Sequence, residues 1–170
     1  MKVDSEKLLN SINNLETWID NNGLAGYDPY DIRGQNWYIN LFGFQNVFFK
    51  KVRGMLFLIE RILPPYFLRK ILFIKPQINA KGMGLIASAY LQRFKKTNNE
   101  KYLIKAEEVL LWLSNNYNSE YDGMSWGYPF HWQSRIFFPK GTPSSVVTGT
   151  VGDAFLDHFE ITKNQDSLNK

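Results

Sequence analysis

Cysteine is absent from this sequence, which excludes disulfides and thiolate metal sites while leaving the cellular compartment open. Histidine is scarce: His131 and His158 are the two copies, too few for an ordinary zinc site, so no metal is expected. The N-terminal stretch MKVDSEKLLN carries acids and lacks the apolar core of a secretory signal, which points to a cytoplasmic protein. No charge-free run approaches the roughly 20 residues of a membrane-spanning helix. Charged residues are modest at 21%, and the net charge of +4 hides a local asymmetry. Lys50, Lys51, Arg53, Arg61, Arg69, Lys70 and Lys75 face only one acid in their stretch, Glu60, so the rest of the chain is slightly acidic. A nucleic-acid binder would spread its basic residues over a broad face and interleave them with stacking aromatics. Charge confined to one stretch does not fit that pattern.

What is present is apolar and aromatic. With 170 residues and 44% hydrophobic content, the chain can bury the core of a single domain. Aromatics reach 16% and gather in loop-like and apolar stretches, where they suit flat, partly apolar ligands such as sugars or lipids.

Internal repetition is the strongest signal. AYLQRFKKTNNEKYLIK (89–105) and AFLDHFEITKNQDSLNK (154–170) align without a gap and share seven of seventeen positions, against roughly one expected by chance. Gly84 and Gly149 extend the match upstream. A second ungapped comparison pairs Glu6-Lys7 with Glu100-Lys101, Trp18 with Trp112, Asn21-Asn22 with Asn115-Asn116, and Tyr27-Asp28 with Tyr121-Asp122. The repeating unit reads helix A, long loop, helix B. In helix A, Leu9, Ile12, Leu15 and Ile19, and again Leu103, Ala106, Leu110 and Leu113, fall at steps of three and four, so a buried stripe is expected in each copy. Helix B carries the same spacing with small residues, Gly84, Ala87, Leu91 and Phe94 in one copy and Gly149, Gly152, Leu156 and Phe159 in the other. Helices are expected at 6–22, 81–96, 100–116 and 146–161, with a third helix A starting at Asn164. A lone turn there cannot bury its stripe, so residues 1–170 read as one incomplete domain, the other reading being a frayed tail after a complete one.

The first unit is longer by about 29 residues, which coincide with a basic, apolar insertion at about 45–76. There Pro64-Pro65 must end one helix and begin another. The stretch reads either as a contact for a membrane surface or protein partner, or as packing against the scaffold.

Both long loops carry residues suited to chemistry. GLAGYDPYDIRGQNW (23–37) offers Asp28, Tyr30, Asp31 and Trp37, and YDGMSWGYPFHWQSR (121–135) offers Asp122, Trp126, Tyr128, His131, Trp132, Gln133 and Arg135. Glycoside chemistry needs paired carboxylates, one to protonate the leaving oxygen and one to activate water or attack the anomeric carbon. Aromatic rings supply apolar platforms, and Arg, Gln and His supply directional hydrogen bonds. Asp28 and Asp122 recur in both copies and equally suit loop-amide caps. Asp31 and the segment 131–135 break the repeat and make stronger candidates, although His131 also fits a hydrogen-bonded rim. Ser144, Ser145 and Thr148 read as helix caps, and His158 as a solvated side chain. Lys81-Gly82-Met83-Gly84 matches no complete phosphate-loop fingerprint, so no cofactor is expected.

With alternating A and B helices, and with DGMSWGYPFHWQSR followed by GTPSSVVTGTVGDAFLDHFEIT, the chain resembles the six-hairpin, (α/α)6-toroid superfamily, particularly members associated with surface-polysaccharide genes. The resemblance covers most of the chain outside the insertion. It implies an all-α fold of helical hairpins forming part of an (α/α)6 toroid, in a superfamily that includes glycoside hydrolases, polysaccharide lyases and epimerases. The expected function is then carbohydrate binding or processing on Tyr30, Trp37, Trp126, Tyr128 and Trp132. Asp31 or Asp122 would act as general acid or base, with His131, Gln133 and Arg135 orienting the glycan. Two alternatives remain: a non-catalytic scaffold in polysaccharide assembly that recruits its partner through Lys50 to Lys75, and a terpenoid-type cyclase, for which no aspartate-rich motif is present.

Overall fold

A computed structural model describes residues 4–42, 49–133 and 135–168. The start of the insertion (45–48), Ser134, and the last two residues of the expected third helix A lie outside these residues. The chain is mainly helical: α1 (Ser5–Asn22), α2 (Asn36–Phe42), α3 (Lys50–Ile62), α4 (Pro65–Ile71), α5 (Ala80–Thr97), α6 (Glu100–Asn115) and α7 (Ser145–Thr162), closed by a 3-10 turn, Gln165–Ser167. Between α6 and α7 lies a two-stranded hairpin that the sequence reading does not anticipate, β1 (Trp132–Gln133) with β2 (Phe137–Phe138), pairing Trp132 with Phe138 and Gln133 with Phe137. Among the described residues no helix is long and apolar enough to cross a membrane.

Local chemistry explains the helix ends. Asp4 caps α1 by accepting from the amides of Glu6 and Lys7. Helix α3 stops before Pro64-Pro65 and α4 starts on Pro65, whose fixed φ suits a first helical position. Helices α5 and α7 are both 18 residues long, and each ends on a left-handed residue, Asn98 at φ 53° and Lys163 at φ 61°. An asparagine follows in both places: Asn99 accepts from the Lys101 amide at 3.1 Å and Asn164 from the Asp166 amide at 3.0 Å. Helix α7 differs at its start, where Ser144 makes no side-chain cap and Thr148 instead exchanges hydrogen bonds with the Trp126 backbone.

The core lies where α5 packs on both α6 and α7. Leu91, Leu113, Val147 and Val151 are fully buried there. Close approach of α5 to α7 depends on Gly84, since a Cβ at that position would stand 2.9 Å from the Thr150 carbonyl oxygen. Trp126 closes the end of this core, with its ring on Phe155 at 6.2 Å and its indole N–H donated to the Leu113 carbonyl at 3.0 Å.

Helix α1 departs from expectation. Its stripe is not buried: Leu9, Ile12 and Leu15 are exposed, Leu15 by 58%, and Ile19 is half-buried. The helix instead docks through its polar flank. Glu16 accepts from Lys101 at 3.0 Å and Lys105 at 3.2 Å and pairs with Arg93 at 3.2 Å, while Asp20 holds Lys105 and Asn13 receives Arg93. Matched apolar spacing predicts a stripe but not the neighbour that covers it. In α6 the aligned positions Ala106, Val109 and Leu113 are buried, because α5 lies against this helix.

His158 also departs from expectation. It is buried, its Nδ1 meets the Ser167 hydroxyl at 2.7 Å, and its Nε2 faces Glu107 at 3.4 Å. This junction of α6, α7 and the 3-10 turn has a counterpart at α1, α5 and α6, where Arg93 bonds Asn13 and lies 4.6 Å over the Tyr102 ring. In the two alignments Glu107 answers to Asn13, His158 to Arg93 and Ser167 to Tyr102.

Candidate functional site

The two long loops meet. Gly34 makes the contact possible, because a Cβ there would stand 2.8 Å from both the Phe130 side chain and the His131 carbonyl oxygen. Across the seam Tyr30 stacks on Phe130 at 6.3 Å, Phe130 stacks on Tyr128 at 5.3 Å, and Tyr128 meets the edge of Trp132 at 6.3 Å. The β hairpin then sets Trp132 flat against Phe138 at 5.5 Å. A continuous run of rings results, with its outer members exposed, Tyr30 by 48% and Trp132 by 41%.

Several clefts border this run: one, of about 310 Å³, is lined by Tyr128, Phe130, Trp132 and Phe138 with Pro143 and Ser144, and two others adjoin the first loop. One of these two, of about 250 Å³, is lined by Asp28, Pro29, Tyr30, Asn79, Lys81, Tyr128, Phe130 and Trp132. Its neighbour shares Asp28, Asn79 and Phe130 and adds Asp31, Lys75 and Gln77. Residue 77 reaches the first loop through a backbone bridge to Gly26, which fixes the floor shared by the loops and α5. Asn79 both caps α5, accepting from the Lys81 amide at 3.0 Å, and lines the two clefts at the first loop.

The carboxylates divide by environment. Asp31 is buried, and both its oxygens receive Arg69 Nε, at 2.9 and 3.2 Å, while Oδ2 also accepts the Asp28 amide at 3.2 Å. Arg69 further donates to the Asp28 carbonyl at 3.0 Å and lies 4.7 Å over the Tyr27 ring. With its lone pairs engaged in this way, Asp31 is a residue that positions the first loop rather than a free proton carrier. Asp28 accepts the Tyr30 amide through Oδ1, the loop-amide role expected of it, and still lines both clefts at the first loop. Asp122 is exposed, lines neither of these two clefts, and has no hydrogen-bond or ion-pair partner among the described residues.

The remaining candidates separate as clearly. Tyr30, Tyr128 and Trp132 come together. Trp126 does not join them: at 3% exposure it is a core residue that offers no face to a ligand, contrary to the sequence reading. Trp37 packs edge-on against Tyr38 outside these clefts. His131 stacks on Phe137 at 5.4 Å, and its Nδ1 accepts the Lys140 amide at 2.9 Å, which leaves the ring proton on Nε2. Gln133 is held in the hairpin ladder, and Arg135 is exposed at the hairpin turn. Sequence reasoning missed Phe130, Asn79, Lys81 and Arg69. Phe130 sits within the aromatic loop and was legible there; the other three belong to segments whose approach to the loops has no local signal.

Among the described residues no cluster of three potential ligands could hold a metal ion. No protein-family model, curated protein or solved structure matches this chain.

Proposed function

We propose that the cleft between the two long loops binds a carbohydrate, and that the chain is a helical-hairpin scaffold of the (α/α)6-toroid type that presents it. The observation that carries this reading is the stacked run Tyr30, Phe130, Tyr128, Trp132, bordered by Asp28, Asn79 and Lys81. Sugar rings present C–H faces that settle on aromatic platforms, and their hydroxyls need a few fixed donors and acceptors at the rim. The scaffold reading draws support from the equal lengths and matching ends of α5 and α7, and from the two equivalent three-helix junctions.

Binding is favoured over catalysis. Asp28 is the acid at the aromatic cleft, Asp31 is engaged by Arg69, and Asp122 does not line it, so among the described residues no second free carboxylate is within the lining. Glycan-array screening of the intact chain, followed by calorimetric titration of any ligand found, tests the reading. Trp132→Ala and Tyr30→Ala should each weaken binding about five- to thirtyfold, each removing a stacking face worth roughly 1 to 2 kcal/mol. A folded chain that binds no glycan would remove the proposal.

A further inference from the structure

We infer that the α3–α4 segment docks the chain on an anionic lipid surface, lying in the headgroup region rather than crossing the bilayer. On α3, Met55, Leu58, Ile59 and Ile62 recur at helical spacing along one stripe and are exposed, Ile62 by 77%. On α4 and its cap the two faces differ. Leu68, Arg69 and Leu72 are half-buried, and Arg69 ties this face to the first loop through Asp31, whereas Tyr66, Phe67 and Ile71 are exposed on the other. The ion pair therefore sets which face of α4 looks outward.

The exit of α4 adds Phe73, 89% exposed at φ 52°. Its amide donates to the Lys70 carbonyl at 3.3 Å and the Ile74 amide to the Arg69 carbonyl at 2.9 Å, a helix-ending turn whose left-handed position ordinarily falls to glycine. A phenylalanine there strains the backbone and leaves its ring in water, and burial of the ring in lipid offsets both.

Charge identifies the occupant. Residues 50–75 carry seven lysines and arginines against one acid, Glu60. Arg61, Lys70 and Lys75 are exposed and have no ion-pair partner among the described residues. Anionic headgroups answer such cations without a fixed geometry, while lysine and arginine stems lie along the apolar layer beneath. Tyr66 has the same dual character, a ring for the acyl boundary and a hydroxyl for the headgroups. A bilayer surface places no demand on the angle between two short helices, so the break at Pro64-Pro65 is compatible with it. Between α6 and α7 a β hairpin stands instead of such helices, so packing that recurs along the scaffold does not account for the exposed face.

Flotation of the intact chain with vesicles tests this. Vesicles of equal parts phosphatidylcholine and phosphatidylglycerol should carry the chain, pure phosphatidylcholine should carry far less, and salt should release it, because attraction to the headgroups is screened. Arg61→Glu with Lys70→Glu should weaken the partition about tenfold or more, as should Ile62→Ser with Phe67→Ser. Phe73→Gly separates docking from folding: it supplies the residue that the turn favours, so it should keep or raise the melting temperature while lowering vesicle binding about fivefold or more. Circular dichroism verifies that each variant is folded. Absence of binding to either vesicle, equal binding to both, or binding indifferent to all three variants would each overturn the inference. So would self-association or capture of an acidic peptide through Arg61 and Lys70 with no vesicle binding, which would assign the segment to a protein partner.

Discussion

At the residue scale, the strongest single dependence is Asp31 on Arg69. The pair is well shielded, with side-chain exposures of 7% and 15%, and removing one member leaves a buried charge unanswered. Arg69→Ala should therefore lower unfolding stability by about 3 kcal/mol or more, measured by urea denaturation, whereas Arg69→Ala with Asp31→Asn should recover much of the loss. Equal stability of Arg69→Ala and wild type would contradict the pairing. The role of Asp31 was illegible in the sequence because its partner stands 38 residues away in a stretch that reads as a basic surface. Trp126 was misassigned for a related reason. It shares a loop with Tyr128 and Trp132, and only the return of that loop over the end of α6 turns its indole inward. Trp126→Ala should unfold the chain readily, at about 3 to 5 kcal/mol, while Trp132→Ala should leave stability nearly unchanged. Thermal melts of the two variants separate these outcomes.

At the scale of elements, the bounds of α1, α5, α6 and α7 were readable to within about one residue, because apolar spacing and asparagine caps are local properties, whereas α2 was not anticipated and the helix expected from Asn164 is a 3-10 turn over the described residues. What covers each helix was not readable. Helix α1 carries the stripe expected of a buried helix yet docks by charge, so its attachment should respond to pH. Burial pushes the Lys105 ammonium down, but hydrogen bonds to Asp20 and Glu16 outweigh it and carry the group up to about 12. Burial likewise pushes Glu16 up, and the hydrogen bonds from Lys101 and Lys105 overcome it, leaving Glu16 below its ordinary value of 4.5. Hydrogen bonding to Lys105 lowers Asp20 too. The raised lysine stabilises docking fully below its ordinary value of 10.5, and that support is lost as pH climbs through about 12. The lowered acids stabilise docking above 4.5 for Glu16 and 3.8 for Asp20, and their support is lost as pH falls through their depressed values. Amide exchange of α1 should accordingly accelerate at both extremes before that of α5 and α6, and Lys105→Met should abolish the alkaline phase. Uniform exchange of all three helices would contradict docking by charge. The α5–α7 contact rests instead on shape. Gly84→Ala presses a methyl group against the Thr150 carbonyl and should cost about 1 to 3 kcal/mol in a denaturation experiment.

At the scale of the molecule, three packed helices, α5, α6 and α7, hold a surface built from two loops that are far apart in the chain. The helical character follows from the apolar spacing, whereas the meeting of the loops shows only in the folded chain. The composition of the surface follows only in part. Tyr30, Tyr128 and Trp132 are adjacent because Gly34 lets Phe130 bridge them, a contact that depends on the absence of a side chain. The most direct test of carbohydrate binding at this surface uses the five tryptophans as separate reporters. Indole N–H signals of the labelled chain, followed by two-dimensional NMR during titration with a glycan selected from the array, should show Trp132 moving while Trp126 and Trp37 stay in place. A glycan that shifts Trp126 or Trp37 but leaves Trp132 unmoved would contradict the account.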